Sequence, residues 1–113
     1  MRNRYFISLP EPEQARGADG LGFTSHGADG FAEELQAALR GDGLFKKWLA
    51  TQHDPEDVDP KLAATDPAAE VSGKLDDLHI DLEAVTDIGG DVLKHRLRLL
   101  AGNHWQLRDV RAA

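Results

Sequence analysis

Acid and imidazole side chains recur at every second position of "KLDDLHIDLEAVT": Asp77, His79, Asp81 and Glu83. In a β-strand, residues two apart point the same way and sit roughly 7 Å apart. One imidazole among three carboxylates on a shared face is a donor set for a divalent ion or an acid-base pair. Ser25-His26 sets a hydroxyl beside an imidazole, the two ingredients of a hydrolase. The nucleophile-elbow pattern Gly-x-Ser-x-Gly is only half met, because Phe23 stands at the first glycine position and Gly27 at the second. Neighbours in sequence also seldom aim a hydroxyl at a ring nitrogen.

The string Gly-Ala-Asp-Gly occurs twice, at 17–20 and 27–30. A phosphate loop needs Gly-Lys-Ser/Thr four residues after its first glycine, and an EF-hand needs alternating acids closed by Glu. Neither pattern is present. The repeat therefore reads as turn chemistry, in which glycine supplies positive φ and aspartate a local side-chain bond. A fourth cluster, Asp54, Glu56, Asp57 and Asp59, is spaced by prolines without a turn glycine. That composition argues for a solvated loop rather than a formed ion site.

The absence of cysteine removes disulfides, thiolate catalysis and sulfur-ligated zinc. At 113 residues, with 41% hydrophobic and 29% charged residues, the chain is expected to form a single domain spanning 1–113. The net charge of −7 is unevenly spread: −1 over residues 1–52, −10 over 53–91 and +4 over 92–113. Such a balance repels phosphate backbones, so no nucleic acid is expected as a partner. The apolar run from Tyr5 to Leu9 is too short for a signal core or a membrane span, which points to a cytoplasmic protein without a membrane partner.

The elements that must position these side chains follow from periodicity. Tyr5, Ile7 and Leu9 alternate with polar neighbours until Pro10, as in a strand over 3–9. Phe31, Leu35, Ala38 and Leu39 have helical spacing over about 30–40, with Asp29 as N-cap. Gly41 is placed to end that helix in the left-handed conformation and Asp42 to cap a second one carrying Leu44, Phe45, Trp48 and Leu49. Because that second helix spends its large residues on an apolar face, a DNA-reading helix-turn-helix is disfavoured. Residues 53–70, with three prolines and six acids, read as a long acidic loop.

The C-terminal part reads as strands. Leu78, Ile80, Leu82 and Ala84 alternate with the acidic set, and Leu93, Leu97 and Leu99 alternate with Lys94, Arg96 and Arg98. With a three-residue loop at 101–103, Trp105 joins Leu99 on the inner face. A four-residue loop at 87–90 sets Asp81 opposite Arg96 and Glu83 opposite Lys94, so that an ionic ladder absorbs the acids. The expected fold class is α+β: an antiparallel sheet of three to four strands, made of the N-terminal strand and a C-terminal three-strand meander, with two helices on one face.

No complete catalytic constellation emerges, and no cofactor or metal is called for. The expected function is a non-catalytic protein-interaction or regulatory module, contacting another protein through Asp54, Glu56, Asp57, Asp59, His79, Asp81, Arg96 and Arg98. A homodimer through a sheet edge is a further expectation. The alternative is a small enzyme or ligand-binding protein using His79 with Asp81, or Ser25 with His26. A deep pocket around those histidines favours the alternative; a flat face with them tied into ion pairs favours the module.

Overall fold

The period of two in "NRYFISL" is realised as β1 (Asn3–Leu9), in which Tyr5, Ile7 and Leu9 are at most 2% exposed. The structure, a computed structural model, describes residues 1–18 and 20–113, so Asp19 of the first Gly-Ala-Asp-Gly copy lies outside it. After β1 come α1 (Ala28–Arg40), α2 (Gly43–Leu49), β2 (Glu70–Asp76), β3 (His79–Thr86), α3 (Gly90–Ala101) and β4 (Gln106–Ala112). The strands form one antiparallel sheet in the order β2-β3-β1-β4. With α1 and α3 as the crossovers, this is the split β-α-β order of ferredoxin-like folds.

The α+β class and the antiparallel sheet are as the sequence implies, but one element changes type. Residues 92–99 are helical, within α3, and the strand that completes the sheet is β2. Five of the eight buried residues of α3, Val92, Leu93, Arg96, Leu97 and Leu100, have the i, i+1, i+4, i+5, i+8 spacing of a helix face. Reading Arg96 as a solvent-facing residue hid that period. Leu, Arg, Lys and Ala are also strong helix formers, and the run holds a single β-branched residue, Val92. The meander, its 101–103 loop and both proposed registers therefore fall away. Gly102 instead ends α3, with φ of 62°.

Helices α1 and α3 cover the sheet face made by Tyr5, Ile7, Leu9, Ile80, Leu82 and Ala84. The second expected helix, α2, packs on α1 and α3 rather than lying across the strands as a main cover. Two details of capping also differ from expectation. Gly27, in an extended conformation, is the N-cap of α1 and Asp29 lies in its first turn; Gly41 follows α1 with φ of −130°, not left-handed. The turn reading of the first Gly-Ala-Asp-Gly copy has a physical basis in the packing. A Cβ on Gly17 would fall 1.8 Å from the Leu99 carbonyl oxygen, and Gly20 has φ of +79°.

Arg96 is the unexpected centre of the helical layer. It is fully buried, and its guanidinium donates to the carbonyls of Ala38, Leu62 and Ala64, each at 2.7 Å. Ala38 lies in the last turn of α1, where unpaired carbonyls and the negative end of the helix dipole favour a cation. Within the acidic 53–70 segment, two 3-10 turns (Pro55–Asp57 and Pro60–Ala63) are followed by a second anchor, the buried Asp66. Its carboxylate accepts from Thr86 Oγ1 at 2.8 Å, the amides of Ala68 and Asp87 at 3.0 and 3.2 Å, and Arg2 at 3.1 Å. Burial acts to raise the Asp66 pKa, but these hydrogen bonds outweigh it and hold the carboxyl below its ordinary value. The loop is thus clamped at 62–66, and its acids at 54–59 face solvent.

Candidate functional site

With α1 and α3 on one side, the opposite sheet face carries the alternate residues of every strand and, among the described residues, no α-helix. The registers place Phe6 beside Glu83 and Asp109, Ser8 beside Asp81 and Gln106, and Lys74 beside Asp81. The face is concave, enclosing a groove of about 740 Å³ lined by residues that include Phe6, Ser8, Lys74, His79, Asp81 and Arg108. This volume lies within the roughly 300–1,000 Å³ range of ligand sites, although the groove is broadly open to solvent.

Its charges are partly satisfied from within. Arg4 pairs with Glu83 across β1 and β3, and Arg111 with Asp109 at 2.8 Å along β4. His79 Nε2 lies 3.3 Å from Asp81 Oδ2. Arg108 donates to the Gln106 side chain at 2.8 Å, leaving it oriented over the groove without a carboxylate partner among the described residues. Lys74 likewise makes no ion pair among them. Hence the groove has a cation on β2 and one on β4; of the two strands between them, β1 brings Phe6 and Ser8 and β3 brings His79, Asp81 and the Arg4-paired Glu83.

The shared strand face of His79, Asp81 and Glu83 is as the period implies. Asp77 drops out, because it occupies the β2–β3 turn with φ of +58°, and Asp76 takes its place beside His79. Leu78, expected inward, is 85% exposed in that turn. The ionic ladder does not exist: Asp81 faces Ser8 and Lys74, Arg96 is buried beneath α1, and Lys94 and Arg98 are exposed on α3. Of the eight residues taken as an interaction surface, His79 and Asp81 lie in the groove. Asp54, Glu56, Asp57 and Asp59 sit on the separate loop, Arg98 on α3, and Arg96 on no surface at all.

Ser25 and His26 do not form a pair. The Ser25 amide donates to Glu34 at 3.0 Å, whereas His26 is exposed, with Nδ1 3.2 Å from Arg16 and 3.8 Å from Glu13. On the groove, the hydrogen-bond partner of the His79 ring among the described residues is Asp81, not a serine hydroxyl. Of the further groove residues, Phe6, Ser8 and Arg108 are signalled by the outward half of the alternation in β1 and β4, whereas Lys74 lies on β2, which has no such signal. Trp105, expected in the core, is half-buried and donates its indole N–H to the Gly102 carbonyl at 2.9 Å. No known family model, curated protein or solved structure matches the chain.

Proposed function

We propose that the protein is a non-catalytic interaction module that holds an acidic, extended segment of another protein against the open face of its sheet. The observation that carries this reading is the concave face itself, where Lys74 and Arg108 stand on opposite outer strands with Phe6 and Ser8 between them. Two separated cations flanking an aromatic ring suit a peptide carrying spaced carboxylates, since Arg and Lys bind such groups by charge-assisted hydrogen bonds. The acidic 54–59 turns lie apart from this face and repel the same ligand, which favours docking in one orientation.

Pairing of two copies along a sheet edge is the lesser reading. The β2 edge is blunted because Gln36 Oε1 of α1 accepts from the Val71 amide at 3.0 Å, so a second copy would have to use β4.

The test uses a photo-crosslinking residue placed at position 6 in the groove or, as control, at Lys47 on exposed α2. A partner captured from position 6 alone, whose purified complex is lost in Lys74→Glu/Arg108→Glu at unchanged melting temperature, supports the reading. Equal capture from both positions, or a purified complex indifferent to the double variant, defeats it.

A further inference from the structure

The β2–β3 hairpin closes through a two-residue turn, Asp77-Leu78, which sets Asp76 directly opposite His79 on the open face. Asp81 follows two residues later on the same side of β3. The outcome is three side chains from adjoining strands whose donor atoms, two carboxylate oxygens and one imidazole nitrogen, all lie within 4.8 Å of one another. Lys74 stands opposite Asp81 in the register but makes no ion pair with it. Asp76 makes no ion pair among the described residues, and the sole partner of Asp81 is the imidazole itself.

We propose that Asp76, His79 and Asp81 form a binding site for a divalent first-row metal ion, zinc foremost. A zinc ion holds nitrogen and oxygen donors at about 2.0–2.2 Å, so two donors on one tetrahedral ion lie about 3.4 Å apart. Donor atoms within 4.8 Å of one another reach that spacing by side-chain rotation, Asp76 being exposed and His79 and Asp81 half-buried. One imidazole and two carboxylates form a borderline nitrogen-oxygen set, which suits zinc, cobalt, nickel or manganese rather than ions that require thiolate. Both negative charges are used, giving a neutral zinc complex in place of two repelling acids. Three protein ligands leave the fourth tetrahedral position open, and two of the three, His79 and Asp81, line the groove. An ion there presents its vacant position at the groove's rim, where a carboxylate or carbonyl of the bound segment completes its coordination.

The site depends on the hairpin alone and stands whatever occupies the groove. The test is calorimetric titration of the chelator-stripped full chain with zinc sulfate, together with cobalt chloride titration followed by visible absorption. One ion per chain is expected, with four-coordinate cobalt bands. Affinity should fall at least about ten-fold in His79→Ala and in Asp81→Asn, since even outer partners of metal ligands contribute that much. Asp76→Asn should weaken it likewise, while His53→Ala and His104→Ala leave it unchanged. Because none of the three ligands belongs to the buried core, circular dichroism of each variant should match the parent chain. Absence of zinc binding at sub-millimolar concentration, or binding that survives His79→Ala and Asp81→Asn, overturns the site regardless of the result for the groove's partner.

Discussion

Replacing Arg96 by leucine tests the organisation of the helical layer most directly. The substitution removes three hydrogen bonds of 2.7 Å and strands their acceptors. A buried carbonyl without a donor costs about 1–3 kcal/mol. The Leu62 and Ala64 carbonyls lie on a loop that water can reach after slight opening, whereas Ala38 stays beneath α3, so the three do not add in full. Removing a buried cation returns part of its desolvation cost, and leucine refills most of the volume. A net loss of about 3 kcal/mol follows, at the lower end of what breaking a buried charge network costs. For a chain of 113 residues the unfolding entropy is roughly 0.24 kcal/mol per kelvin, so the melting temperature should fall by about 13 °C. Urea unfolding followed by tryptophan fluorescence, with calorimetry, measures both quantities. Limited proteolysis should at the same time cut faster within 53–65, because the loop loses its inner tether. Arg96→Lys keeps the charge but lacks the planar fork and should lie between the two. A loss below about 1 kcal/mol in Arg96→Leu, or an Arg96→Lys variant indistinguishable from the parent, would refute the clamp.

Two further expectations concern pH. Asp66 has a lowered folded pKa, so its contribution is present above the ordinary carboxyl range and disappears as pH falls through the folded value. Asp66→Asn should cost about 1–3 kcal/mol at neutral pH and flatten the acid limb of a stability-pH curve; an unchanged limb speaks against this role. His95 is buried with both ring nitrogens unpartnered and its ring at 4.4 Å edge-on to Trp48. Burial, then Arg98 and Arg96, push its pKa down, so the folded chain excludes a proton that the unfolded chain accepts. Stability should therefore drop as pH falls below about 6.5, until the folded value is passed. His95→Phe should remove that drop between neutral and mildly acidic pH in urea titrations, and parallel curves for the two proteins would contradict it.

Where burial and backbone period agree, the residues were readable in advance. β1, α1 and the Ile80–Ala84 part of β3 follow from apolar spacing alone. The failures share a cause: polar residues doing interior work. Arg96 looks like a surface residue in any hydropathy pattern, and its burial depends on carbonyls from residues 38, 62 and 64, which no local window contains. Asp66 resembled its acidic neighbours for the same reason. β2 was invisible because Gly73 stands where its alternation of Val71 and Leu75 needs an apolar side chain, and only β3 beside it makes the segment a strand. At the candidate site, His79 and Asp81 were foreseeable from period two, but their companion was misassigned as Asp77. A one-residue difference in where the hairpin turns decides which aspartate shares their face.

The pleat of the sheet separates two duties along each strand. In β1, positions 5, 7 and 9 are committed to the interior while 4, 6 and 8 point the other way, and β3 repeats the division with opposite parity. Selection on the bare side can thus proceed almost independently of selection for folding. Exchanging Phe6, Lys74 or Arg108 leaves the apolar layer intact, so this small scaffold can acquire a new recognition preference without first acquiring a new core.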